Sequence, residues 1–334
     1  AAGLALLVVV GLNTAAVAGP APPEAQATGA TYWSSPWVAI SRGSWHEFNH
    51  NLGGDPDDHA VEMWFRDTDG GLGIHRRSYG GLDVSGTKSG AHWEKLTAST
   101  IEVHRQADDN DADRIRVRVW IPTPAQEYYE SEWTDIAQGE TITVSHNLGI
   151  TATELTVGLW FSGTARGIHH YGYGGFVLDG PPLERRGAFW HSLTDTTVKV
   201  VRLPDDTDVE QVRSVVVHAD PPDYDSLQAL GGWQPIAMGT SFGFMHGLQW
   251  SADLLLVRSE CQSPPLQGVG GIHQFNAGGN HDPLFGWQGT DLRNLTANSV
   301  AVARQSNDVL CPQVRVRIWK RGVHVYLPLV MRDL

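Results

Sequence analysis

"RIRVRVW" (114–120) alternates without a break: Ile115, Val117 and Val119 fall on one side of an extended chain, Arg114, Arg116 and Arg118 on the other. Period two is the mark of a β-strand, because successive side chains leave opposite faces of the pleat. The pattern predicts a strand with its apolar set toward a core and its arginines outward. The same wording returns as "QVRVRIW" (313–319), so one reading covers two distant parts of the chain.

Working outward, the match extends to whole units. Trp37-Val-Ala-Ile40, Trp133-Thr-Asp-Ile136 and Trp233-Gln-Pro-Ile236 open them. His50-Asn-Leu-Gly53, His146-Asn-Leu-Gly149 and the looser His246-Gly-Leu248 follow. Then come "VEMWF" (61–65), "LTVGLWF" (155–161) and "LLLVR" (254–258), and after them "GIHRRSYGG" (73–81), "GIHHYGYGG" (167–175) and "GIHQFNAGG" (271–279). "HWEKLTASTIEV" (92–103), "FWHSLTDTTVKV" (189–200) and "DLRNLTANSVAV" (291–302) lead to Arg105, Arg202 and Arg304. So many matches in one order are not accidental. The Gly-Ile-His segments lie 94 and 104 residues apart, a domain-sized period rather than the short period of a solenoid.

Each unit reads as about six short strands joined by glycine turns, with no sustained helical stripe. The expected fold is all-β: three tandem antiparallel β-sandwich repeats of about 95–100 residues after an apolar N-terminal segment. The division is 1–30 for the apolar leader and Pro-rich linker, 31–124, 125–222 and 223–321 for the repeats, and 322–334 for a tail. Boundaries fall in "PTPAQEYYE" (122–130) and "ADPPDYDSL" (219–227), both Pro-rich and polar.

Composition narrows the function. Lys and Arg number 24 against 37 Asp and Glu, a net charge of −13, which argues against a nucleic-acid partner. Neither a P-loop, a dinucleotide fingerprint nor a His-Glu-x-x-His motif occurs. Gly239-Thr-Ser241-Phe-Gly243 has the form of a nucleophile elbow but sits inside a β-repeat with no helix to follow, and is discounted. The expectation is therefore a protein that is not an enzyme.

Cys261 and Cys311 both lie in the third unit, and a disulfide between them is preferred over free thiols. It fits an extracellular or cell-surface setting. The stretch "LALLVVVGL" (4–12), followed by the small-x-small triplet Ala25-Gln26-Ala27, reads either as a signal remnant or as a retained assembly segment. In the second case Leu4, Leu6, Leu7, Val8, Val9 and Val10 would add as a strand to a neighbouring copy.

In strand order the last half of each unit, "LTASTIEV" followed by an alternating strand ending in Trp120 or Trp319, resembles the H-type lectins. That resemblance implies a small β-sandwich, sugars of the N-acetylgalactosamine type and trimeric assembly; no sugar-binding residue carries over. The tail "VYLPLVMR" (325–332) resembles a segment common in exported proteins of some filamentous bacteria.

The ligand-binding candidates are His75, Tyr79, His169, Tyr173, His273 and Phe275 from the repeated loop. An imidazole, a phenol and glycine backbone in one loop can bond sugar hydroxyls and offer an apolar face. The third copy departs from this, with Ala277 at the tyrosine position. A folding role, in which each histidine bonds a backbone carbonyl, is weighed above ligand contact. His50, His146 and His246 are read as turn residues. "DDNDAD" (108–113) and "DDTDVE" (205–210) raise calcium, but neither completes an EF-hand loop, so solvated acidic turns are favoured and no metal is assigned. The functional expectation is a secreted, adhesive protein whose partners are glycans or cell-surface polymers. The alternative is a subunit that joins copies of itself into a filament or surface layer.

Overall fold

The computed structural model describes residues 31–84, 87–121, 127–178, 184–218, 220–266, 269–275, 278, 280–282 and 286–320. In the first repeat the strands are β1 (Tyr32–Ser34), β2 (Val38–Ala39), β3 (Trp45–Asn49), β4 (Ala60–Arg66), β5 (Ile74–His75), β6 (Leu82–Val84), β7 (Thr87–Ser89), β8 (Ala91–Glu94), β9 (Thr100–Arg105) and β10 (Arg114–Trp120). The strands named here pair antiparallel and build three sheets. The large one runs β1-β10-β4-β5 with β2 also on β10, the small one β3-β9-β8, and β6 and β7 form a hairpin. Repeats two and three reproduce this plan strand for strand. One α-helical turn, Ser226–Ala229, interrupts it among the described residues.

All-β is correct, but the expected three tandem β-sandwiches are not what forms. The six main sheets, a large and a small one from each repeat, are arranged as a six-bladed β-propeller. The reason lies on the arginine side of the strand that suggested the sandwich. A sandwich sheet leaves one face to water. Here Arg118 and Arg317 are each 2% exposed, and Arg213 and Arg315 are also buried, so both faces of the large sheets are covered. Arg118 donates to the Leu255 carbonyl of repeat three (2.9 Å), and Arg317 to the Leu155 carbonyl of repeat two (2.9 Å). Only Arg114, at the outer end of β10, stays exposed.

The apolar cores cross repeat boundaries in the same sense. The first, around Met63, Phe65, Trp93 and Ile101, takes in Trp160, Ile168 and Tyr173 from repeat two. The second takes Ile272 and Trp233 from repeat three, and the third takes Trp64, Trp37 and Ile74 from repeat one. Burying an indole such as Trp64 stabilises by about 3 kcal/mol, and that gain belongs to a seam rather than to one repeat.

Backbone bonds repeat the circle. The amides of Arg76, His170 and Gln274 donate to the carbonyls of Leu292, Trp93 and Trp190, and those of Leu96, Leu193 and Leu295 to Ile168, Ile272 and Ile74. The Gly-Ile-His loop therefore recurs because it is the stitch between repeats. Its glycines permit the approach. At Gly80 (φ +94°) a Cβ would sit 2.9 Å from the Tyr173 amide nitrogen, and at Gly278 (φ +106°) 2.8 Å from that of Tyr79.

A second threefold device locks each repeat internally. Arg105 clamps Asp109 through Nε (2.8 Å) and donates to the Ile40 carbonyl (2.8 Å); Arg202 does the same to Asp206 and Ile136, and Arg304 to Asp308 and Ile236. The other carboxylate oxygen of each Asp accepts from a glycine amide, at Gly90, Gly187 and Gly289. The acidic runs that raised calcium thus spend Asp109 and Asp206 on this clamp, while Asp113 accepts from Thr68 and Asp111 faces Arg77 at 3.4 Å.

Cys261 and Cys311 form a disulfide, Cα to Cα 5.1 Å. By strand register Cys261 stands where the other repeats place Phe65 and Phe161.

Candidate functional site

The loop histidines face the protein. His75, His169 and His273 are fully buried, and each Nε2 donates to a backbone carbonyl: Asp111 (2.9 Å), Asp208 (3.1 Å) and Leu310 (2.9 Å). Their Nδ1 atoms accept from the amides of Arg77, Tyr171 and Phe275, which fixes the tautomer and the turn together. Burial lowers all three pKa values, those of His169 and His273 to about 4. Phe275 packs on Phe189, ring centroids 4.4 Å apart. Leu4, Leu6, Leu7, Val8, Val9 and Val10 lie outside the described residues.

Tyr79 and Tyr173 stand elsewhere, on a cavity of about 90 Å³ at the axis where the three repeats meet. A cavity holds a water once about 10–15 Å³ is open to it, so the space takes several waters or one small ionic group. The Tyr79 hydroxyl accepts from Trp93 Nε1 (3.1 Å) and donates to His170 Nδ1 (3.0 Å), whose Nε2 donates to the Leu159 carbonyl (2.7 Å). Burial, with Arg258 and Arg76 adding to it, holds His170 neutral, its pKa down to about 3. One repeat on, Tyr173 and Trp190 both donate to Gln274 Oε1, and Gln274 Nε2 donates to the Ser259 carbonyl (3.2 Å). Burial raises the pKa of both tyrosines, so they present neutral hydroxyls.

Charge distinguishes the third side of the cavity. Register places Glu62, Gly158 and Arg258 at one equivalent position of the three large sheets, opposite Arg118, Val215 and Arg317. Glu62 is held between Arg76 Nη2 (2.7 Å) and Arg118 Nη1, and Arg76 lies over the Trp64 ring (4.1 Å). Arg317 is neutralised by Glu260. Asp291, also on the cavity, is committed to Arg293 and Gln305. Arg258 has no ion pair and no hydrogen-bond acceptor among the described residues, and its Nε is shut off from solvent without a partner. Arg258 is half-buried and lines the cavity without a carboxylate partner among the described residues. The axis therefore carries an unmatched positive charge inside a chain of net charge −13.

Of the loop candidates Tyr79 and Tyr173 line this cavity, together with Arg76, His170, Gln274 and Arg258, which sequence reasoning did not single out. A signal existed. The position after each Gly-Ile-His holds Arg, His and Gln within an otherwise shared loop, and polar variety inside a fixed frame marks a place not needed for folding.

No protein-family model, curated protein or solved structure matches this chain.

Proposed function

We propose that the chain is a non-enzymatic binding protein whose axial cavity takes the carboxylate of a small acidic saccharide. The unpartnered Arg258 guanidinium carries this reading: a carboxylate would complete it, and charge-assisted bonds of that kind are the strong ones. Tyr79, Tyr173 and Gln274 beside it supply hydroxyl and amide groups suited to sugar oxygens. The cavity is too small for a whole sugar ring, so the ring would lie beyond it and only the acid group would enter. Residues of all three repeats line this one asymmetric cavity. An extracellular or cell-surface setting is part of this proposal, and the disulfide supports it.

Calorimetric titration tests the reading. Glucuronate should bind with a Kd below about 1 mM and glucose should not, and Arg258→Gln should weaken glucuronate by at least about tenfold. Equal binding of glucose, or an unaffected variant, overturns the proposal. Acetate binding as tightly as glucuronate would remove its saccharide half.

A further inference from the structure

We propose that His92, Glu94, Glu102 and His104 form a site for a divalent transition cation of the zinc class, on the face of the first small sheet away from its core, covered in part by Arg166 and Tyr171 of repeat two. The placement follows from strand pairing. β8 and β9 run antiparallel with His92 opposite His104 and Glu94 opposite Glu102, so "HWE" and "EVH" put all four side chains on one face. Trp93, Ile101 and Val103 take the core face, each 0% exposed. Imidazole and carboxylate are the ligands that zinc takes besides thiolate, and two donors on one tetrahedral zinc stand about 3.3 Å apart.

The distances already suit this. His104 Nε2 lies 3.2 Å from Glu94 Oε1 and 3.1 Å from Glu102 Oε2, and His92 Nε2 lies 3.2 Å from Glu94 Oε2. One ligand atom from each of Glu94, Glu102 and His104 fits within a 4.8 Å span. The two imidazoles are stacked, 5.3 Å between centroids and 16° between planes.

His92 supplies the independent observation. It is 3% exposed, and its Nδ1 has no partner. Its Nε2 faces Glu94 and also Arg166 Nη1 at 3.4 Å, a donor. With the proton on Nε2 the Nδ1 lone pair is orphaned. With the proton on Nδ1 that N–H is orphaned, and a bare Nε2 lone pair looks at a carboxylate. A cation shared by Nε2 and the carboxylate resolves the contact at Nε2, with the proton kept on Nδ1.

Two cations compete. Arg166 from repeat two binds Glu94 Oε2, and Lys95 Nζ lies 2.9 Å from Glu102 Oε2. The Lys95 side chain is 49% exposed and free to swing out, while Arg166 leaves Glu94 Oε1 available. Trp45, 58% exposed, stacks over His104 at 6.3 Å and covers the approach. The site belongs to repeat one alone. Register puts Phe189, His191, Lys199 and Val201 at the same places in repeat two, and Asp291, Arg293, Ala301 and Ala303 in repeat three.

Cobalt(II) titration of the full chain, read by visible absorption, is the test. One equivalent should give the intense band of a tetrahedral N/O site, and zinc should displace it. His104→Gln should weaken binding by about 100-fold, and Lys95→Ala should strengthen it. Near-ultraviolet circular dichroism of each variant reports whether the fold is kept. Absence of the band at millimolar cobalt, or its survival in a folded His92→Gln/His104→Gln chain, overturns the site.

Discussion

The Arg–Asp clamp and the wall position of the axial cavity each occur three times, and they have diverged in opposite ways. The clamp reads Arg105–Asp109, Arg202–Asp206, Arg304–Asp308, with the same partners in each copy. The axial position reads Glu62, Gly158, Arg258. Sameness accompanies satisfied groups: every clamp carboxylate has its guanidinium and its amides. Difference accompanies an unsatisfied one. In this molecule the shared residues hold the repeats together, and the cavity wall is where the copies disagree.

Acid should break the shared framework most completely. His50, His169, His191 and His273 have pKa values lowered by burial to about 4, and His170 to about 3. Lowered folded values mean that the unfolded chain binds more protons once pH drops below about 6.5. Their stabilisation is thus present above pH 6.5 and is lost as pH falls toward 4. The five losses all act in one direction, so a marked fall in melting temperature is expected between pH 7 and pH 4.5. A melting temperature unchanged between pH 7 and 4.5 would contradict it.

The clamp comes next. Asp109→Ala, Asp206→Ala and Asp308→Ala should each cost about 3–5 kcal/mol in urea unfolding, because each leaves a buried guanidinium alone. Unequal costs would show that the copies are less alike than their geometry.

The disulfide sharpens the contrast within one position. Cys261 replaces the phenylalanine of the other repeats, so a cross-link stands in for aromatic packing. Its loop spans 50 residues, and reduction should cost about 2–4 kcal/mol.

The smallest effect is expected at the axis. Arg258→Met, without ligand, should leave stability unchanged or raise it by about 1 kcal/mol, since it removes a charge that nothing balances. Loss of several kcal/mol would show that Arg258 is structural after all.

How much could be read beforehand follows from where each residue's partner lies. The strands were legible because alternation is local: "RIRVRVW" is β10 as written, and "TIEVHR" (100–105) is β9. The pairing of Cys261 with Cys311 could be expected because both fall in the third repeat, one after a strand and one leading into another; that the two strands are neighbours emerges only in the fold. The arrangement of sheets was not legible, because alternation says that a strand has two faces and not what covers the second. Arg118 looks like a solvent residue until the Leu255 carbonyl of another repeat is placed against it. His75 and Tyr79, four residues apart in one loop, proved to point to different places, one into a turn and one to the axis. Arg258 gave no warning in isolation; only the register that aligns it with Glu62 and Gly158 exposes it.

The bond from Leu295 to Ile74 carries a consequence for how the chain comes into being. Trp64 and Ile74 leave the ribosome with the first repeat, yet the residues that cover them belong to the third and are synthesised only after the second. The nascent first repeat must keep an indole and an isoleucine uncovered until the last repeat arrives, so premature termination anywhere in between yields a sticky fragment rather than a smaller working protein.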